Sequence, residues 1–333
     1  MIHDIVLIHG DGIGREVIAS TVEIIEATGV KINWDVSEMG EDAIISCNNP
    51  LPEELIKKIK DKKIAIKGPT TTPIGEGFSS VNVAIRKKLD LYANIRPIKS
   101  FEGVKALYED IDLVIVRENT EGLYSGIEHM VGDDAAEAIK IITRKASERI
   151  CRHAFELARF QNRKKVTLVH KANIMKLTDG LFLRCGREIA KEYTDINFED
   201  VIIDAMCMKL VQNPQTFDVI VAPNLYGDIL SDLAAGLIGG LGFAPGANIG
   251  DEIAVFEPVH GTAPDIKGKN IANPTSAILS GVMMLRYIGE NDSANRIENA
   301  LKRTLKDNSC KTCDLGGNLT TKEYTELIIK NLV

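Results

Sequence analysis

The chain has 333 residues, 44% of them hydrophobic and 26% charged, which is enough apolar material for more than one core. A formal net charge of -7 excludes the dense basic surface that nucleic acid or an anionic membrane needs, so any anionic ligand must be met by a local cluster of Arg and Lys. The six cysteines, Cys47, Cys151, Cys185, Cys207, Cys310 and Cys313, are scattered and read as reduced thiols, with Cys310 and Cys313 a lone pair without a second ligand pair.

In chain order, Met1 to Ile8 reads at once as a buried strand with no leader segment before it, so a cytoplasmic protein is expected. Strands are expected at Asp4 to His9, Lys31 to Val36, Ile64 to Lys67, Leu113 to Arg117, Val166 to His170, Val201 to Asp204 and Val219 to Ala222. Helices are expected at Arg15 to Thr28, Leu51 to Lys60, Asp134 to Gln161, Lys176 to Tyr193, Tyr226 to Ile238, Ser276 to Ile288 and Asp292 to Leu305. This alternation predicts an α/β fold with a mainly parallel central sheet and crossover helices. Asn94 to Ser100 and the glycine-rich Gly236 to Gly250 read as hinges between lobes. The apolar stretch Leu233 to Ala244 is too short and glycine-rich to span a bilayer. Gly10-Asp11-Gly12-Ile13-Gly14 follows the first strand, but it misses the GxGxxG spacing, and a tight turn explains it as well as a dinucleotide fingerprint does.

Four constellations carry possible chemistry. Asp228 and Asp232 sit four apart on an expected helix, on one face, where they are either a solvated pair or hard oxygen ligands for a divalent cation. Asp204, at the end of an apolar run, is either a third ligand or a helix N-cap. Arg86, Arg96 and Arg117 interrupt apolar runs, and such forks grip carboxylates or form internal ion pairs. Tyr124 and Lys171 are groups that can move protons, and His260-Gly261-Thr262-Ala263-Pro264-Asp265-Ile266 is a loop that could wrap a ligand with its backbone.

Five strings together resemble the β-decarboxylating dehydrogenases, the isocitrate, isopropylmalate, homoisocitrate and tartrate enzymes. They are Asp90-Leu91-Tyr92-Ala93-Asn94-Ile95-Arg96-Pro97, Arg117-Glu118-Asn119-Thr120-Glu121-Gly122, His170-Lys171-Ala172-Asn173, Asn224-Leu225-Tyr226-Gly227-Asp228-Ile229-Leu230-Ser231-Asp232 and His260-Gly261-Thr262-Ala263-Pro264. The resemblance covers essentially the whole chain. It implies a two-lobed, non-Rossmann α/β fold: a discontinuous cofactor-binding domain of residues 1-98 and 241-333, and a small domain of 99-240 with a dimerisation arm near 122-143. It also implies a homodimer with shared active sites, in which Asp204 and Lys171 come from the neighbouring protomer. Arg86, Arg96 and Arg117 would hold substrate carboxylates, Asp228, Asp232 and Asp204 would bind Mg2+ or Mn2+, and Tyr124 and Lys171 would serve the proton steps.

Substrate choice rests on Thr72 to Arg86, where Thr72, Ser80 and Asn82 resemble the isocitrate type and Lys67-Gly68-Pro69-Thr70-Thr71-Thr72-Pro73-Ile74-Gly75 agrees. Homoisocitrate is the close rival, one methylene longer, and isopropylmalate the next. By the same resemblance Glu257, His260, Gly261, Thr262, Ala263, Asp265, Ile266 and Asn273 line the nucleotide. The carboxylate of Asp265 suits ribose hydroxyls and repels a 2'-phosphate, so NAD is expected. NAD-dependent oxidation and decarboxylation of isocitrate is the expected activity. A non-catalytic regulatory subunit of the same fold is the competing reading, and it predicts losses among Tyr124, Lys171, Asp204, Asp228 and Asp232, all of which are present.

Overall fold

A computed structural model describes residues 2-72 and 80-332. Pro73, Ile74, Gly75 and Ser79 of the substrate segment lie outside the described residues. The first apolar run forms β1 (Ile2–Ile8) and turns into α1 (Gly14–Ala27). Gly10 and Gly12 hold φ of +73° and +57° in that turn, a left-handed path that side chains resist. Next come β2 (Lys31–Ser37), α2 (Glu41–Cys47), α3 (Glu53–Lys62), β3 (Ile64–Lys67), α4 (Val81–Lys88) and β4 (Ala93–Lys99). β5 (Asp112–Glu118) leads to an exposed hairpin of β6 (Glu128–Val131) and β7 (Ala135–Ala138), then to α5 (Arg144–Phe160). Strands and helices then alternate through β8 (Lys165–His170), α6 (Thr178–Ala190), β9 (Asn197–Ile202), α7 (Ile203–Gln212), β10 (Val219–Ala222) and α8 (Asn224–Leu237). β11 (Pro245–Ile249) and β12 (Ala254–Pro258) pair as neighbours, and α9 (Thr275–Tyr287), α10 (Asn291–Lys306) and α11 (Thr321–Lys330) follow.

Ten strands form one sheet in the order β2-β1-β3-β12-β11-β4-β5-β10-β8-β9. Its flanks are parallel, while β12, β11, β4 and β5 run antiparallel to one another in the middle. Helices cover both faces, and β1 records this in its side chains: Ile5 and Leu7 enter one core cluster, Val6 and Ile8 the other. No helix among the described residues is long and apolar enough to cross a membrane. Three antiparallel pairings separate β12 from β5, so β3 and β12 end at one edge of the sheet and β5 and β10 at the other, with β11 and β4 crossing between them.

Three expectations need correction. Asn94 to Ser100 is not an irregular hinge: Ala93–Lys99 is β4, paired along seven positions with β5, and its Arg and Pro had hidden the strand pattern. Gly236 to Gly250 likewise contains the end of α8 and all of β11. The helix expected from Asp134 starts only at Arg144, where the Thr143 side chain caps it by accepting from Ala146 N. Ala135–Ala138 is good helical sequence, but pairing with β6 across the Gly132 turn overrides that propensity.

Candidate active site

Lys67 ends β3 and Glu257 lies near the end of β12, while Arg117 lies near the end of β5 at the opposite edge and Arg96 in β4 between them, so the antiparallel middle of the sheet gathers charge from both directions. There they line a cavity of about 390 Å³, together with Thr72, Ser80, Asn82, Arg86, Tyr124, Asp228, His260 and Gly261. The lining holds four cations, Lys67, Arg86, Arg96 and Arg117, against the carboxylates of Asp228 and Glu257. That excess of positive charge is what a substrate with several carboxylates requires.

Each arginine is held by named partners. Arg117 donates from Nε and Nη2 to Asn224 Oδ1 at 3.0 and 2.8 Å, and from Nη1 to Asp228. Burial and the neighbouring Arg96 and Arg86 pull its guanidinium down to about 9. Gly227 leaves room for it, since a Cβ there would meet Arg117 Cγ at 2.6 Å. Arg96 donates from Nε to Asn94 Oδ1 at 2.6 Å and from Nη1 to Ser231 Oγ, and the same Nη1 lies 3.2 Å from Asp228 and 3.6 Å from Asp232. Arg86 donates from Nη2 to Glu257 Oε1 at 3.0 Å, and its buried Nε has no partner within the chain. An orphaned donor in a cationic cavity is an invitation to an anionic ligand.

Tyr124 donates to Asp228 Oδ2 at 2.6 Å, and burial followed by that carboxylate raises the phenol above its usual value. Burial would also raise Asp228, but Arg117 and Arg96 outweigh it and hold the acid below its usual value. Asp232 is raised by burial. Both aspartates lie on α8, and together they offer a cation hard oxygen ligands, the chemistry expected of Mg2+ or Mn2+. The set is partial, because no group of three or more His, Cys, Asp or Glu among the described residues could hold a metal alone. Asp204 is not at the end of a strand. It sits in the first turn of α7, exposed, and accepts from Lys171 Nζ at 2.6 Å. Neither of that pair lines the cavity.

The loop from His260 to Ala263 packs on the turn after β1, where Ile13 N donates to Thr262 O at 2.9 Å. His260 Nε2 is buried without a partner, and the space beside Gly261 is open, so a nucleotide fits along this loop. Asp265 and Ile266 sit on the short turn Pro264–Ile266 with Asp265 exposed, and Asn273 donates to Asp314 at 2.9 Å. These three do not line the cavity. Sequence reading missed Lys67 as a site residue, although a lysine closing the apolar strand Ile64–Lys67 is the same signal that marked Arg117. It also missed Asn248, whose setting in Gly-Ala-Asn-Ile-Gly resembles a turn.

The model of the isocitrate/isopropylmalate dehydrogenase family matches residues 4–328. The chain is 49% identical over 327 residues to the mitochondrial NAD isocitrate dehydrogenase catalytic subunit 5 of Arabidopsis thaliana, covering 98% of this chain and 87% of that protein. It is 50% identical to a mitochondrial NAD isocitrate dehydrogenase regulatory subunit of Dictyostelium discoideum, covering 99% and 92%. The crystal structure of isocitrate dehydrogenase from Methylococcus capsulatus superposes with a TM-score of 0.97 at 54% identity over 99% of both chains. The four-cation cavity thus stands on a sheet of shared architecture, and the chain belongs to the isocitrate/isopropylmalate dehydrogenase family.

Proposed function

We propose that the chain oxidises and decarboxylates isocitrate to 2-oxoglutarate and CO2 with NAD and Mg2+ or Mn2+. The observation that carries this reading is the convergence of Arg86, Arg96 and Arg117 on one cavity that also contains Ser80, Asn82 and Tyr124. The three guanidinium groups bind and orient the substrate carboxylates, and the hydroxyl of Ser80 and amide of Asn82 meet the third of them. Asp228 and Asp232, with Asp204 of a second copy, would hold the cation. When bound, the cation would supply Lewis-acid chemistry and NAD would supply the hydride acceptor. The Tyr124 hydroxyl, kept protonated by burial and by Asp228, holds the proton that the product carbon needs after CO2 leaves. Lys171 of the second copy takes the carbinol proton.

The two-lobed division belongs to this reading. Strands β2, β1, β3, β12, β11 and β4 fall almost wholly in residues 1-98 and 241-333, and β5, β10, β8 and β9 in 99-240, so the cavity straddles the seam between β4 and β5. A homodimer is supported by exposed Ile127, Met130, Val131 and Ile139 on and beside the β6-β7 arm, and by exposed Ile174, Leu177, Met208 and Val211 near the Lys171-Asp204 pair. A cytoplasmic location remains our expectation from the sequence, whereas the curated relatives named above are mitochondrial.

Purified chain assayed with isocitrate, homoisocitrate, isopropylmalate and tartrate, each with NAD and NADP, tests the reading. Isocitrate with NAD should give the highest kcat/KM, and EDTA should abolish it. The Dictyostelium relative motivates a second reading, a regulatory role. Isocitrate binding without NADH formation, in the presence of Mg2+ or Mn2+, would favour it.

A further inference from the structure

Beneath the cavity floor, Asn248 joins two hydrogen-bonded branches that the functional reading leaves unexplained. It lies on β11, 2% exposed, opposite Asn94 of β4 on one side and Val255 of β12 on the other. Its Oδ1 accepts from Asn94 Nδ2 at 2.8 Å and from Asn119 Nδ2 at 3.0 Å. Its Nδ2 donates to Glu257 Oε1 at 2.7 Å and to Val255 O at 3.3 Å. Every polar site of the amide is therefore used, and the reverse orientation would set its NH2 against two donors. From Asn94 the chain of bonds continues to Arg96 Nε, and from Glu257 it continues to Arg86 Nη2 and to Lys67 Nζ at 2.5 Å. Arg117 has no bond to Asn248, Asn94 or Glu257; it is held by Asn224 and Asp228, and only through Asp228, 3.2 Å from Arg96 Nη1, does it meet the Arg96 branch.

We propose that Asn248 is a positioning residue that sets the guanidinium groups of Arg86 and Arg96 in one register for the substrate carboxylates, through Glu257 on one side and Asn94 on the other. The inference rests on the reading of those arginines as carboxylate ligands. Its cause is geometric: Arg86 and Arg96 come from different elements, α4 and β4, and a buried amide with no free valence fixes the distance between them. Arg117, one ion pair further from Asn248 than Arg96, supplies the comparison.

The test is isocitrate affinity by calorimetry, run beside turnover, for assembled wild-type protein and for Asn248→Ala alone and combined with Arg96→Lys or Arg117→Lys. Asn248→Ala should weaken isocitrate about tenfold while NAD affinity changes by less than about twofold. Combined with Arg96→Lys its effect should fall well short of the product of the two single effects, and combined with Arg117→Lys it should come closer to that product. Circular dichroism and the unchanged NAD affinity guard against a folding defect in the alanine variant, and Asn248→Asp, which sets a second carboxylate against Glu257, should weaken isocitrate further. Equal loss of NAD and isocitrate affinity, or simple multiplication with both arginine variants, would overturn the inference. Wild-type protein that binds isocitrate without turning it over would overturn the catalytic reading and leave the coupling measurable, and absence of binding would overturn both.

Discussion

Arg117 matters as a fork more than as a charge. Three of its nitrogens are committed to Asn224 behind the cavity and to Asp228 in its wall, and a lysine could satisfy only one of those directions. Arg117→Lys should therefore lower kcat/KM for isocitrate about 100-fold, with most of the fold intact by circular dichroism. Asp265 is exposed on its turn and free to meet a ribose. Asp265→Lys combined with Ile266→Tyr should move the kcat/KM ratio toward NADP, and an unchanged ratio would refute the assignment. The arginines were legible because each interrupts an apolar run, which is costly without a partner. Asn248 was not, since an asparagine between small residues looks like a turn until the sheet register places it opposite Asn94.

Among the elements, α10 shows how a helix is fastened to the rest of the fold. Glu298 bonds Lys302 on its own helix, Arg286 on α9 and Lys99 on β4, with side-chain exposure of only 13%. Burial opposes its ionisation, but these cations win and hold the carboxyl down at about 2, from an ordinary value of 4.5. The shift is downward, so the stabilisation is complete above pH 4.5 and disappears as the pH falls toward 2. Urea unfolding should show Glu298→Gln destabilised by roughly 1 to 3 kcal/mol at pH 7, with the difference from wild type shrinking below pH 4.5. A difference that stayed constant with pH would exclude the ionised carboxylate as its source.

Elements with clean periodicity were legible to within a few residues, as Val219–Ala222 and Ile64–Lys67 illustrate. The misses share a cause, which is tertiary context overriding local preference. Ala135–Ala138 has helical composition yet pairs with β6, and β4 carries a proline and an arginine that its antiparallel neighbours accommodate. Asp204 was misplaced because the apolar run of β9 continues without interruption into α7.

At the scale of the whole molecule, one chain holds a cationic cavity and, away from its lining, the pair of half-buried Lys171 and exposed Asp204. In the proposed homodimer, assembly would join them, the cavity of one protomer receiving Lys171 and Asp204 of another. Monomeric protein should then be inactive, and the site should be divisible between two chains. Asp228→Asn and Lys171→Met should each abolish activity alone. After the two variants are unfolded together and refolded, a mixed dimer contains one site with both residues intact, so about a quarter of wild-type activity should return. NADH formation from isocitrate by that refolded mixture is the most direct measurement. Recovery near a quarter is the predicted result, and a mixture as inactive as either variant alone would contradict the shared site.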